Sequence, residues 1–277
     1  MTKKKINNTE DNSLENFNKL SIQVSLNGLS FCVLDTIGNS ILKSDRLVFE
    51  KNLSPFELQK NLEQLFKTHN LGSSQFSEVV VVHSNNLFSF VPKSLFDVNE
   101  LANYLKFNTK ILANDHIAYD ALDNYDIVNV YVPFVNINNY IFDLFGEFEY
   151  KHNGTVLVQA LLNNSGANKE PICYVHVDGQ QMDITIIAQK KLLFYNSFTI
   201  TSKEDFIYYL LFTMEQLKLD TEHTKLQLFG SIKEEDDIYK LCYKYIKDMS
   251  LFIPSGGSYP FGTTDQKSLE FTVLSAL

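Results

Sequence analysis

ICYVHVDGQQMDITIIA, residues 172–188, runs apolar, breaks at Asp178-Gly179 and resumes as an alternating stretch. Two strands joined by a tight turn have this pattern, because Asp-Gly tolerates the positive φ that a two-residue hairpin demands. The same grammar occurs earlier, where LSIQVSLNGLSFCVL, residues 20–34, is split by Asn27-Gly28. A third strand-like segment follows each hairpin, at 40–49 after Gly38-Asn39 and at 191–199 after Gln189-Lys190. Each half of the chain therefore opens with a predicted three-stranded antiparallel meander.

A helix is predicted after each meander, and both begin with the same device. Ser54 stands as a cap before Pro55 with Glu57 three residues on, and Thr201 is followed in the same way by Glu204. That spacing is a capping box, in which cap and acid satisfy each other's backbone donors. Leu58, Leu62, Leu65 and Phe66 form the apolar face of the first helix; Ile207, Leu210, Leu211, Met214 and Leu217 form that of the second. Short apolar strands come next, SEVVVVH at 77–83 and TKLQLFG at 224–230, suited to the middle of a sheet covered on both faces. The two copies of β-β-β-α-β lie about 150 residues apart, with 26 and 22 positions from turn glycine to cap. Matching order and spacing imply an internal duplication.

Composition bounds the function. With 277 residues, 44% of them hydrophobic, the chain has enough apolar surface for a full core. Cys32, Cys173 and Cys242 are far apart, with no CxxC pair, and suit small buried hydrophobes in a reducing compartment. A formal charge of −9 and no basic cluster beyond Lys3, Lys4 and Lys5 argue against a nucleic-acid partner, which needs a dense basic face. The polar opening lacks an apolar signal core, and no run of eighteen apolar residues occurs, so the expectation is a soluble cytoplasmic protein without membrane insertion. Residues 1–19 read as a disordered tail.

The duplicated pattern resembles the actin, hexokinase and Hsp70 superfamily, in which two ribonuclease-H-like lobes close around a nucleotide. DIVNVYVPF (126–134), INNYIFDLFG (137–146), EFEYKH (147–152) and GTVLVQALLNN (154–164) resemble the late part of lobe I in type IV pilus assembly protein M and cell-division protein FtsA. LSIQVSLNGLSF, VPFVNINNYIFDLFGEFEYKH and KEDFIYYLLFTMEQLKLD are similar to segments of the uncharacterised bacterial family DUF3822, of that same fold. The resemblance implies an α/β actin-like architecture. Lobe I would span 20–164, with an inserted subdomain near 87–123, and lobe II 165–277. A fold of this kind does not by itself carry an activity.

In ATP-binding members the resemblance implies a D-x-G hairpin in each lobe, whose amides hold phosphate and whose aspartates act through Mg²⁺. It also implies a glycine pair beside the adenosine. Here lobe I reads Ser25-Leu26-Asn27-Gly28, with no acid at either metal-side position. Lobe II reads Val177-Asp178-Gly179, which places Asp178 inside the predicted turn, and the adenosine position reads Leu228-Phe229-Gly230-Ser231. The plain reading of both hairpins is a type I′ turn, and of Gly230-Ser231 a strand end. The candidate inter-lobe cleft thus comprises Asn27, Gly28, Asp178, Gly179, Gln180, Gly230 and Ser231, with no catalytic residue and no metal ligand assigned. Asp183, the next polar residue on the hairpin, reads as outward-facing.

The six histidines show no metal-ligand spacing, and His83-Ser84 lacks a nucleophile elbow. PSGGSYPFG, 254–262, lacks the ending of a P-loop and reads as a loop near the cleft. The insert, 87–122, carries a helix pattern at Val98, Leu101, Ala102 and Leu105 and is dense in aromatics, among them Phe88, Phe90, Phe96, Tyr104 and Phe107. Local packing accounts for most of these, and any exposed remainder would be a docking surface. Two readings stand: a non-catalytic scaffold or adaptor without cofactor whose partner is another protein or peptide, and a degenerate nucleotide-binding protein taking ATP with Mg²⁺.

Overall fold

The computed structural model describes residues 17–72, 76–166, 169–252 and 271–277. The chain begins with β1 (Asn18–Ser25), β2 (Gly28–Asp35) and β3 (Ser40–Val48), then α1 (Pro55–His69) and β4 (Glu78–Ser84). An inserted unit follows, made of β5 (Phe88–Pro92), α2 (Leu101–Leu105), β6 (Ala118–Leu122) and β7 (Ile127–Tyr131). Next come α3 (Val135–Phe145), β8 (Glu149–His152) and α4 (Asn153–Asn164). The second half runs β9 (Ile172–Asp178), β10 (Gln181–Ala188), β11 (Lys191–Thr199), α5 (Lys203–Gln216), β12 (Lys225–Gly230), α6 (Asp237–Cys242), β13 (Met249–Leu251) and α7 (Phe271–Ser275).

Two five-stranded sheets repeat one topology. Their orders are β3-β2-β1-β4-β8 and β11-β10-β9-β12-β13, with the insert forming a third sheet, β5-β7-β6. In both large sheets the first three strands pair antiparallel and the remaining two join in parallel. The internal duplication inferred from spacing is thus present in hydrogen-bond register. β1 starts two residues earlier than expected, taking in Asn18 and Lys19, and Lys19 is tied to Glu78 on β4 at 2.6 Å. Residues 1–16 of the expected tail, and the glycine-rich loop at 254–262, lie outside the described residues.

Each sheet buries its outer face under helices. Leu20, Ile22 and Val24 of β1 pack with Leu58, Leu62 and Leu65 of α1 and with Ile137 and Ile141 of α3. In the second half Val175, Val177, Met182 and Ile184 pack with Phe206, Leu210 and Met214 of α5. The face expected for α5 is displaced: Phe206 is buried, Ile207 and Leu211 are only partly covered, and Leu217 closes the helix at the surface. The insert's expected helix is a single turn, α2, of which only Leu105 is buried. α4 carries Leu157, Leu161 and Leu162 in a core with Tyr174, Ile187 and Phe229 of the second half. It lies between the lobes, which explains why its sequence is apolar nearly all round. The three cysteines are buried thiols, and burial pushes each up to about 12. Among the described residues, no helix is long and apolar enough to cross a membrane.

Candidate functional site

The two hairpin tips meet across the inter-lobe cleft, but the first turn sits one residue earlier, and the second one residue later, than the sequence suggests. The β1–β2 register closes on Ser25 and Gly28, so Leu26-Asn27 form the loop and Gly28 already belongs to β2. The β9–β10 register closes on Asp178 and Gln181, so the loop is Gly179-Gln180. Neither is the predicted type I′ turn. Asn27 and Gly28 do not have positive φ, and in the second hairpin Gly179 alone does, at +58°, the sign pattern of a II′ turn. Both residues positive, as I′ requires, occurs instead at Gln189 and Lys190, at φ +53° and +58°. Asp178 consequently lies at the strand end, not inside the turn.

Asn27, Gly28, Asp178, Gly179 and Gln180 line one cavity of about 180 Å³, together with Gln23, Ser25, Ser30, Arg46 and Glu50. Polar atoms at the first tip are engaged within the lobe. Ser25 Oγ donates to Asn27 Oδ1 at 2.7 Å and lies 2.9 Å from the Gly28 carbonyl, while the Asn27 carbonyl accepts from Phe49 N–H at 2.9 Å. Across the gap, Arg46 of β3 reaches from lobe I and forms an ion pair with Asp178. Its other terminal nitrogen lies 3.5 Å from Ser231 Oγ. Arg46 is the only arginine in the chain, a signal that sequence reasoning passed over. A guanidinium carries donors in a planar fork that binds carboxylate or phosphate, so here it occupies the lobe II aspartate from the opposite lobe.

Gly230 and Ser231 flank this cavity at the end of β12. Gly230 has φ +92°, and a Cβ there would stand 2.3 Å from the Val177 carbonyl oxygen. The adjacent Ser231 N–H donates to that same carbonyl at 2.7 Å. Phe229, expected beside an adenosine, is buried; its ring lies 5.0 Å from His176, 5.6 Å from Phe252 and 5.4 Å from Phe271. Phe271 opens α7, whose Val273 packs on Cys32 and Ile41 and whose Thr272 hydroxyl is bonded to Gln23. The C-terminal helix therefore spans from the Phe229 ring to the inner face of lobe I.

A buried polar layer lies behind the cleft, and sequence reasoning missed most of it. Asp183 is 1% exposed, not outward-facing. Its carboxylate lies 3.2 Å from His176 Nδ1, accepts from Ser197 Oγ and approaches Tyr195 Oη at 3.4 Å. Alternation misled because the inner faces of both sheets are covered by α4 and α7 instead of solvent. In lobe I, Asp120 accepts from Thr155 Oγ1 at 2.6 Å, Tyr131 Oη at 2.9 Å and the His152 amide at 2.8 Å. Desolvation pushes its carboxyl up to about 6 against those three donors. His152 accepts from Gly154 N–H on Nδ1 and donates from Nε2 to the Asn85 carbonyl, and burial lowers it to about 4. His83 is held likewise, accepting from Phe134 N–H and donating to Asn138 Oδ1, and is lowered by burial to about 3. Both rings are fixed as neutral tautomers engaged on each nitrogen, which leaves neither one to serve as a base. Among the described residues no group of three or more His, Cys, Asp or Glu is placed to hold a metal.

Twin sheets of one topology, joined through α4 and α7 around a cleft bordered by two hairpin tips, define an actin-like ATPase fold. The chain belongs to the family described as Protein of unknown function (DUF3822), which it matches over residues 7–249. It is similar to a Bacteroides thetaiotaomicron protein of actin-like ATPase fold and unknown function, at 23% identity and a TM-score of 0.74, over 88% of this chain and 94% of that one. It is also similar to a chain of the PilM-PilN type IV pilus biogenesis complex, at 10% identity and a TM-score of 0.58, over 93% and 97%. No curated protein sequence matches the chain.

Proposed function

We propose that the chain is a non-catalytic actin-like scaffold or adaptor that acts by binding another protein or peptide. The observation that carries this reading is the Arg46–Asp178 pair across the cleft. An ATPase of this fold needs the lobe II carboxylate for its metal or its attacking water; here that carboxylate is bound to a cation of the chain itself. The remaining cavity, about 180 Å³, falls below the ~300 Å³ at which small-molecule pockets begin. Phe229 and its aromatic neighbours take up the side where a nucleoside would rest. The fold relative at a TM-score of 0.58 is one part of a two-protein complex, which supports a protein partner for this chain as well.

Titration of the purified chain with a fluorescent ATP analogue, with and without Mg²⁺, tests the reading. No saturable signal up to millimolar nucleotide is expected. Saturable binding that Asp178→Asn or Gly179→Val abolishes would establish nucleotide binding in its place.

A further inference from the structure

We propose that the trough between the inserted sheet and lobe II is the docking site, and that its occupant is an uncharged, extended peptide that adds as a strand. This inference rests on the adaptor reading and deepens it. Two edge strands line the trough. β5 is the outer strand of the inserted sheet and β11 the outer strand of the lobe II sheet, and among the described residues each pairs with one neighbour only. An edge strand presents unpaired N–H and C=O groups, and the ligand that matches such a row is another strand. Beside both edges lies a cavity of about 730 Å³, lined by Phe88, Phe90, Leu193, Tyr195 and Asn196 among others.

Size, charge and surface agree on the occupant. A strand residue fills about 160 Å³, from a ~3.4 Å rise, ~4.8 Å strand spacing and ~10 Å sheet separation, so 730 Å³ admits about four residues. Among the described residues, no Asp, Glu, Lys, Arg or His lines the trough, although the chain carries 24 Lys and Arg and 33 Asp and Glu. A charged peptide would lose hydration there without compensation. The floor is an aromatic platform, with Tyr195 5.3 Å from Phe88 and 5.2 Å from Phe90. At the rim Phe107 is 83% exposed and Leu193, the bulged residue of β11, is 52% exposed. They offer apolar contacts to the alternate side chains of an added strand.

Random heptapeptides displayed on phage and selected against the full chain provide the test, with the selected peptide resynthesised carrying a fluorophore. Uncharged sequences with alternate apolar residues are expected. Hydrogen exchange should slow at least tenfold at 88–91 and 194–197 on binding. N-methylation of alternate peptide amides, Leu193→Glu and Phe107→Ser should each weaken binding about tenfold, whereas Glu50→Gln in the inter-lobe cavity should not. Equal affinity of the N-methylated peptide, or protection elsewhere on the chain, overturns strand addition in the trough but leaves the adaptor reading standing. Failure to select any peptide overturns the trough proposal, and saturable ATP binding in the same preparation overturns the adaptor reading as well.

Discussion

Gly230 and Gly179 both hold positive φ, at +92° and +58°, but in different surroundings. A methyl group at Gly230 meets backbone and the His176 ring, whereas at Gly179 nothing lies within 4 Å. Gly179→Ala should therefore cost only the left-handed backbone, about 1–2 kcal/mol. Gly230→Ala should cost about 3 kcal/mol or more, because strain and overlap combine; urea midpoints at one pH compare the two directly. Asp120 sets a second expectation. Its folded value of about 6 exceeds the ordinary 3.8, so its contribution is fully present below about pH 4 and is lost as pH rises through 6. His83 and His152 have the opposite sign: held at about 3 and 4, they stabilise above pH 6.5 and lose that contribution on acidification. Stability should thus fall from pH 7 to pH 4, with Asp120 offsetting part of the loss. Asp120→Asn should make that fall steeper, by on the order of 3 kcal/mol; an unchanged slope in urea midpoint against pH would contradict the assignment.

The helices show how a local signal can be right in kind and wrong by one residue. α1 is capped by Ser54 with Glu57, as its sequence indicates. α5 is capped by Ser202 with Asp205, not by Thr201 with Glu204. Asp205 Oδ2 accepts from the Ser202 amide, the Thr201 amide and the Thr201 hydroxyl at once. Those bonds lower its carboxyl pKa below the usual range. Thr-Ser-x-Glu-Asp contains two overlapping boxes, and the one with more donors converging on a single oxygen prevails. Ser202→Ala should cost about 1 kcal/mol and Glu204→Ala close to nothing, a difference readable by thermal melting of the two variants.

Among the described residues, α4, α7 and the Arg46–Asp178 ion pair are among the contacts that join the lobes. Arg46 and Asp178 side chains are about one-fifth exposed, at 23% and 20%. Such a pair stands between the small worth of a surface bridge and the larger loss on breaking a buried one. Arg46→Met should destabilise by about 1–3 kcal/mol and speed amide exchange at both hairpin tips, 26–28 and 179–181. Exchange that speeds at only one tip would mean that the pair does not tie the lobes together.

The order of elements along the chain, the duplication and the central apolar strands were readable in 20–34, 77–83 and 172–188, because periodicity and turn residues act over a few positions and need no distant partner. The erosion at Ser25, Phe229 and Gly230 was readable too, since it concerns residue identity alone. Contacts across 132 residues were not: nothing beside Arg46 in sequence announces Asp178 as its partner. The burial of Asp183 and Asp120 was hidden for a related reason. Alternation reports only that one face of a strand is polar, and here α4 and α7 cover that face, so polar residues that would meet water in a simple sheet meet His176, Tyr195, Thr155 and Tyr131 instead. Local pattern selects elements and their order; what faces what, and hence whether a carboxylate is free for chemistry, is set by packing between segments far apart in the chain.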